Sequence, residues 1–258
     1  ISFPFNAYGQ DYLSLEDGLC HVGNLIHGLK SEGFAVYLSG EPHYSNPTDG
    51  EEPPQLTEFE DEAVLNNYTT QLSTVFEAMS ETAEKYKVDF VSPLSEADKY
   101  LGPELADEVM QSARSSFDSF QGKMIWQLYG QELREPDLAA TTHRISFAGY
   151  DMLGLAILGC DMPQYDWDLY IDAAVSWASE DGVTDVMNAE FGCVQIAGNS
   201  STATTNLQHW YDKTSSYSKG TIVLDNPSSF TNGQPIGNTW LEEWIRSVAE
   251  DQGLLSNE

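Results

Sequence analysis

Short apolar runs alternate with segments of helical periodicity along the whole chain, and this alternation restricts the fold more than any other feature of the sequence. The apolar runs predict seven strands, which begin near Ile1, Phe34, Val88, Lys123, Asp151, Val183 and Thr221. Strands that are apolar on both faces are typical of parallel sheets covered by helices. The closed form of that arrangement is the (β/α)8 TIM barrel, and 258 residues suffice for one such α/β domain. We therefore predict a single barrel domain over residues 1–258.

The predicted strand count is one short of the number that a closed barrel needs. The strand Ile1–Phe5 opens the sequence, so this interpretation places the missing first strand upstream of Ile1 and treats the barrel as N-terminally incomplete. Because only closure removes the free edges of a sheet, Ile1–Phe5 and Thr221–Asp225 are expected to flank a gap. An upstream strand, self-association or a strand from a partner chain is expected to fill that gap.

Two of the predicted strands have a glutamate at or just after their C-terminal end. The stretch Val183–Gly192 carries Glu190 near its end, and the stretch Val88–Asp98 carries Glu96 after its apolar part. A carboxylate at the end of a buried strand is unfavourable unless it is paired or used. The carboxyl ends of barrel strands form the active-site face, and two carboxyl groups there are the minimum equipment for glycoside hydrolysis.

A structural interpretation competes with the catalytic one at each glutamate, since Glu is also favoured at a helix N-terminus. Ser95-Glu-Ala-Asp98 could open a helix, so Glu96 keeps both interpretations. Asn188-Ala-Glu-Phe-Gly192 is a poor helix start, which favours a role in a site for Glu190.

The order of elements resembles that of the clan A glycoside hydrolases, which are retaining (β/α)8-barrel enzymes. If Ile1–Phe5 corresponds to the second barrel strand, Glu96 ends the fourth strand and Glu190 ends the seventh. In this clan those positions hold the acid/base and the nucleophile. The resemblance therefore implies a retaining glycosidase that cleaves a β-linked oligo- or polysaccharide, without a cofactor, and it does not identify the sugar.

The sequence departs from the clan pattern at three positions. Ser95 stands where the clan has an asparagine that binds the sugar 2-hydroxyl, and Ala97 stands where it has a proline. Asp225 follows the last predicted strand, where the clan usually has a tryptophan platform. The change at Ser95 and the missing first strand favour an alternative function, a non-catalytic structural or carbohydrate-binding barrel at the cell surface.

Several further side chains are candidates for substrate contact by their place at strand ends. They are His43, Tyr44, Ser95, Trp126, Asn188 and Asp225. His43 could equally be a loop residue without a role, and Trp126 could equally belong to the core. A metal-dependent barrel lyase is disfavoured, because only His43 and His143 are placed as metal ligands, and we predict no metal site.

The charge of the chain limits which molecules it can bind and in which environment it works. Asp and Glu number 41 against 11 Lys and Arg, which gives a formal net charge of −30. Such a surface repels nucleic acid and anionic membranes. Because salt screens self-repulsion, the composition predicts a salt-adapted, halophilic source, with an acidic secreted protein as the alternative. We expect an extracellular or cell-surface location.

The sequence contains three cysteines, and their spacing is not that of a metal site. Cys160 closes one predicted strand and Cys193 lies just past the next. Neighbouring strands are about 4.8 Å apart, and disulfide Cα atoms are about 4.4–6.8 Å apart. Cys160 and Cys193 are therefore predicted to lie close and to bond if the protein is exported, leaving Cys20 free.

Overall fold

The computed structural model describes residues 2–6, 15–43, 62–160, 163–193, 200–223 and 240–253. Its seven strands form one sheet in chain order, and every neighbouring pair is parallel. The strands are β1 Ser2–Asn6, β2 Tyr37–His43, β3 Phe90–Ser92, β4 Lys123–Leu128, β5 Met152–Ile157, β6 Asp185–Phe191 and β7 Ser218–Val223. This curled, helix-covered sheet is a partial TIM barrel and confirms the predicted fold class.

Helices follow the strands in regular alternation. They are α1 Leu15–Ser31, α2 Glu62–Tyr86, α3 Ala97–Ser116, α4 Pro136–Ala139, α5 Gln164–Glu180, α6 Ser200–Ser215 and α7 Trp240–Asp251. A 3-10 helix, Gln131–Arg134, precedes α4. The strand predicted from Phe34 begins at Tyr37 instead, and β3 spans three residues before the chain turns.

The two faces of the sheet bury different sets of side chains. The larger apolar cluster lies between the strands and the helices and includes Trp126, Leu153 and Phe191. The smaller one lies on the inner face, where Ile125, Met152 and Met187 pack together. Because side chains alternate along a strand, these two clusters fix which residues point into the barrel.

Among the described residues, the sheet is open between its first and last strands. There β1 pairs with β2 and β7 pairs with β6, and β1 and β7 do not pair with each other. The described part of the chain thus leaves the predicted gap between these two segments, and what fills it stays a prediction. None of the described helices combines the length and apolar character that a bilayer span requires.

Candidate active site

Glu96 occupies the junction between β3 and α3. It is the residue before the helix, with φ 49° and ψ 43°, and its side chain makes no capping hydrogen bond. The side chain is buried and turns to Lys99, whose Nζ donates to Glu96 Oε2 at 2.9 Å. The other carboxylate oxygen, Oε1, is buried and has no hydrogen-bond partner among the described residues. The capping interpretation of Glu96 therefore fails, although the residue does sit at a helix start.

Glu190 lies one residue before the end of β6 and points to the inner face because the strand register shifts there. Leu155 of β5 pairs with Asn188, and the next residue, Ala156, pairs with Glu190. One residue of β6, Ala189, is thus extra in the ladder. A register irregularity of this kind re-aims the side chains that follow it.

The contacts on either side of this shift show its effect. Asn188 is fully buried, and its Nδ2 donates to Thr214 Oγ1 of α6 at 2.9 Å and to Thr221 Oγ1 at 3.1 Å. It therefore belongs to the helix-facing side of the sheet. Glu190, two residues later, accepts a hydrogen bond at Oε1 from Gln127 Nε2 at 3.0 Å on the inner side. Strict alternation would have placed both side chains on one face.

Gln127 of β4 links the inner polar groups. Its Nε2 also donates to Ser95 Oγ at 2.8 Å, and its Oε1 accepts from the Tyr37 hydroxyl of β2. Ser95 Oγ in turn donates to Glu190 Oε1 at 3.4 Å. The structure thus brings the predicted residues Ser95, Glu96 and Glu190 to one end of the barrel. Gln127 joins Ser95 to Glu190, and Glu96 acts on Glu190 through its charge.

Gln127, Tyr37 and Lys99 were missed at the level of sequence. A signal for Gln127 was present, because an amide in the run Lys123–Leu128 needs a polar partner once it is buried. Tyr37 and Lys99 carry no comparable signal, since both depend on how β2 and α3 approach the site.

The site holds its two glutamates in unlike environments. Burial raises the pKa of Glu190 to about 7, the nearby charge of Glu96 adds to this, and the Gln127 donor opposes it. Burial disfavours the charged form of Lys99, yet the negative charge of Glu96 raises the pKa of that ammonium above its usual range. Glu96 is therefore the ion-paired carboxylate and Glu190 the one that holds a proton near neutrality. Carboxyl groups in contrasting environments are typical of acid/base catalysis.

Asp98 is a third buried carboxyl group next to the site. Burial raises its pKa to about 7, although it accepts hydrogen bonds from the backbone N–H groups of Tyr129 at 2.9 Å and Gly130 at 2.6 Å. These bonds tie the start of α3 to the chain that leaves β4. Asp98 thereby holds the Tyr129 ring beside Lys99, whose Nζ lies 4.8 Å from the ring centroid.

Two predicted substrate contacts are corrected by the structure. Trp126 is fully buried on the helix-facing side of β4, where its ring packs edge-to-face on Phe147 at 5.7 Å. Asn188 is bonded within the same outer layer and is shielded from any ligand. Both residues stand one position from an inward-facing residue, which is why position along the strand alone misplaced them.

The remaining candidates are only partly covered by the structure. Tyr44 and Asp225 lie outside the described residues. The backbone of His43 pairs with Asn6 at the end of β2, and its side chain is not among those described. In the described part of the chain, no three His, Cys, Asp or Glu side chains cluster in a way that could hold a metal ion.

A disulfide cross-links the segments that leave β5 and β6. Cys160 and Cys193 are bonded with their Cα atoms 5.0 Å apart, which confirms the predicted pairing. Cys20 is exposed and takes no part in the bond. Gly159 also pairs with Cys193 through an isolated antiparallel bridge, so the chain is fixed three residues beyond Glu190.

Comparison with known proteins identifies the fold. No family model matches the sequence. No curated protein matches it either. Among solved structures, an endo-β-1,4-mannanase from Cellulomonas fimi superposes with a TM-score of 0.64 at 16% identity, covering 97% of this chain and 63% of that one. A GH113 β-mannanase from Alicyclobacillus acidocaldarius gives 0.53 at 12% identity, with 82% and 68% covered.

A further GH113 β-1,4-mannanase superposes with a TM-score of 0.53 at 12% identity over 88% of this chain and 79% of that one. Nearly all of this chain therefore matches, while it spans less than two thirds of the Cellulomonas enzyme. The likeness establishes that the chain shares the TIM-barrel fold of these glycoside hydrolases.

Proposed function

We propose that this chain is a glycoside hydrolase that cleaves a β-linked polysaccharide with retention of configuration, using Glu96 and Glu190. The observation that carries the proposal is the convergence of the two glutamates at one end of the barrel: Glu190 is held by Ser95 and Gln127, and Glu96, the residue after Ser95, lies close enough for its charge to act on Glu190. The left-handed backbone of Glu96 adds support, because strained non-glycine residues concentrate at active sites.

In this mechanism Glu190 attacks the anomeric carbon while Glu96 gives a proton to the leaving glycosidic oxygen. Water, deprotonated by Glu96, then releases the sugar from Glu190. Gln127 Nε2 and Ser95 Oγ hold Glu190 Oε1 in place and stabilise its charged form. A carboxyl separation of about 5–5.5 Å is the geometry that retention requires, and a separation of about 5–6 Å between Glu96 and Glu190 remains our prediction.

We propose β-1,4-linked mannan as the substrate to test first. The fold neighbours are described as β-1,4-mannanases, which supports this choice. The Glu190 carboxyl group interacts with those of Glu96 and Glu41, and the Asp98 carboxyl group interacts with that of Glu96, so a polyuronate chain would meet electrostatic repulsion at this acidic site. Because such a polymer is degraded outside the cell, and a structural disulfide suits an oxidising compartment, we also propose an extracellular or cell-surface location.

The decisive experiment measures release of reducing ends from β-1,4-mannan by the wild-type chain and by Glu96→Gln and Glu190→Gln. Loss of a general acid is expected to reduce the rate by about 10²–10⁴-fold in Glu96→Gln, and loss of the nucleophile at least as much. Glu81→Gln, on the exposed side of α2, makes the same change in charge and should leave the rate unchanged. Proton NMR of the first product should show the β-anomer.

Covalent trapping separates the two roles. A 2-deoxy-2-fluoro mannoside with a good leaving group should label the nucleophile, and peptide mapping should place the label on Glu190. A label on Glu96 would reverse the assignment. A chain that binds mannan but releases no reducing ends from it or from other β-glycans would instead be a carbohydrate-binding module, and the ion pair between Lys99 and Glu96 is the feature that would favour that outcome.

A further inference from the structure

Lys99 contacts the carboxylate that the proposed mechanism needs as its proton donor. Its Nζ lies 2.9 Å from Glu96 Oε2, in the i,i+3 arrangement on the first turn of α3. The Glu96 side chain is 6% exposed and the Lys99 side chain is 39% exposed. The Lys99 ammonium also lies over two aromatic rings, 4.8 Å from the centroid of Tyr129 and 5.3 Å from that of Tyr100.

The other titratable groups around the pair of Glu96 and Lys99 are acids and phenols. Asp98 of α3 and Glu190 of β6 interact with Glu96, and Glu41 of β2 interacts with Glu190. The phenols that interact with Glu96 are Tyr37 of β2, Tyr100 of α3 and Tyr170 of α5, and Tyr129 after β4 interacts with Lys99. Among the described residues, Lys99 is the basic side chain that pairs with Glu96, so it decides which carboxyl group of this crowded set stays charged.

This arrangement conflicts with the proton distribution that glycoside cleavage needs. A donor must carry its proton when the glycosidic bond breaks, and the attacking carboxylate must be ionised. An ammonium group 2.9 Å from Glu96 favours the opposite distribution, with Glu96 charged and the proton on Glu190. The proton must therefore move from Glu190 to Glu96 before the reaction begins.

We propose that Lys99 is a positioning residue that holds Glu96 as a carboxylate in the resting protein. An incoming sugar separates Lys99 from Glu96 and so allows Glu96 to take up the proton that it will donate. This inference rests on the proposed function. In this step Glu190 loses one proton and Glu96 gains one, so the net charge of the two glutamates is unchanged. The faces of Tyr129 and Tyr100 retain the displaced ammonium close by, because cation–π contact stabilises it there.

The test uses Lys99→Met, which keeps an unbranched apolar side chain of similar length and removes the charge. Lys85→Met is the matched control, because the Lys85 ammonium also lies over a tyrosine ring, Tyr86, at 4.9 Å on α2. Lys99→Arg retains the charge and should keep the titration midpoint of Glu190 and the position of the pH profile. All three variants are made in the full chain.

The first measurement needs no catalysis. Carbon-13 NMR of chain labelled at glutamate carboxyl groups follows the titration midpoint of Glu190, assigned with Glu190→Gln. If Glu96 takes the proton once Lys99 is gone, its charge no longer raises the pKa of Glu190, and the midpoint should fall by about one pH unit. If Glu96 stays charged, loss of the nearby cation should raise the midpoint. A midpoint that rises or stays the same in Lys99→Met overturns the proposal, and Lys85→Met should leave it unchanged.

The second measurement is the pH profile of kcat/KM on β-1,4-mannan. Loss of the Lys99 cation should move the alkaline limb to higher pH by about one unit, whereas Lys85→Met and Lys99→Arg should not move it. A lower rate with an unmoved profile would assign Lys99 a merely structural role and refute the proposal. If the wild-type chain hydrolyses no glycan, the proposed function fails, while the NMR titration still decides the role of Lys99.

Discussion

At Glu96 the protein retains an unfavourable combination of backbone and side chain. A non-glycine residue in the left-handed region costs about 1–2 kcal/mol, and a buried carboxylate adds to this. Lys87 has the same backbone conformation, with φ 54°, but lies exposed at the end of α2. The two positions therefore separate the effect of backbone strain from the effect of the buried charge.

Replacement of Glu96 by glycine should relieve the strain and abolish hydrolysis together. We expect Glu96→Gly to be more stable than Glu96→Ala by about 1 kcal/mol, because only glycine adopts positive φ without steric penalty. Urea unfolding of both variants measures the difference. Lys87→Gly should gain a similar amount over Lys87→Ala and keep full activity. Equal stability of Glu96→Gly and Glu96→Ala would show that the backbone there is not strained.

The raised pKa of Glu190 predicts a pH-dependent stability. Because burial raises this pKa from 4.5 to about 7, the folded chain keeps a proton that the unfolded chain releases between these values. The resulting stability is fully present below about pH 4.5 and is lost as the pH rises through about 7. Asp98, whose pKa burial also raises to about 7, acts in the same window.

Wild-type chain should therefore lose unfolding free energy from pH 5 to pH 8, and Glu190→Gln should lose less, by up to about 3 kcal/mol. Urea titrations at the two pH values measure this. Glu81→Gln should lose as much as the wild type. Identical losses in the wild type and Glu190→Gln would contradict the buried, protonated state of Glu190.

At the scale of elements, the positions of the strands were predictable from the sequence. The face of the sheet to which each side chain points was only partly predictable. Continuous apolar runs such as Met152–Ile157 show where a buried strand lies, because both of its faces are covered. The same runs lack the alternation that would tell inside from outside. Trp126 was therefore placed at the site when its neighbour Gln127 belongs there.

The other features that the sequence did not predict depend on contacts between segments that are far apart in the chain. The pairing of Cys160 with Cys193 follows from strand spacing alone and was predicted. The Lys99 ion pair and the Tyr37 hydroxyl bond depend on how a helix and a distant strand meet, and no local pattern encodes them. Ser95, which replaces the expected asparagine, still reaches Glu190 because the turn after β3 carries it there.

The disulfide between the exits of β5 and β6 should stabilise the fold. It closes a loop with a sequence separation of 33, for which the loss of unfolded-state entropy corresponds to about 2–4 kcal/mol. We expect a double Cys160→Ala and Cys193→Ala variant to lose that amount in urea unfolding. Cys20→Ala removes only an exposed thiol and serves as the control. Thiol titration of the unreduced, unfolded wild type should find one free thiol, and three would contradict the bond.

At the scale of the whole molecule, acidic charge far exceeds what ion pairs can balance. In the described part of the chain, seven Lys and Arg residues pair with carboxylates: Lys30, Lys99, Lys123, Arg144, Lys213, Lys219 and Arg246. The sequence holds 11 Lys and Arg against 41 Asp and Glu, so most carboxylates have no basic partner available. Self-repulsion of these charges opposes folding and weakens as salt screens it.

The melting temperature should therefore rise between dilute buffer and molar potassium chloride. Screening shortens the range of repulsion from about 30 Å at 0.01 M to about 3 Å at 1 M, which favours the compact chain. Differential scanning calorimetry at a fixed pH measures the change, and sucrose at matched osmolality controls for effects unrelated to charge. A melting temperature that stays flat or falls would rule out the salt-adapted origin that the composition predicts.

The extra residue in β6 makes the position of Glu190 tolerant of a change in strand length. Loss of the single codon for Ala189 would leave Glu190 directly after Asn188 and still opposite Ala156 of β5, so its carboxylate would keep facing the barrel interior. In a regular strand the same loss would turn every later side chain to the other face of the sheet. One single-codon deletion at this point of the gene could thus occur without removing the carboxylate from the barrel.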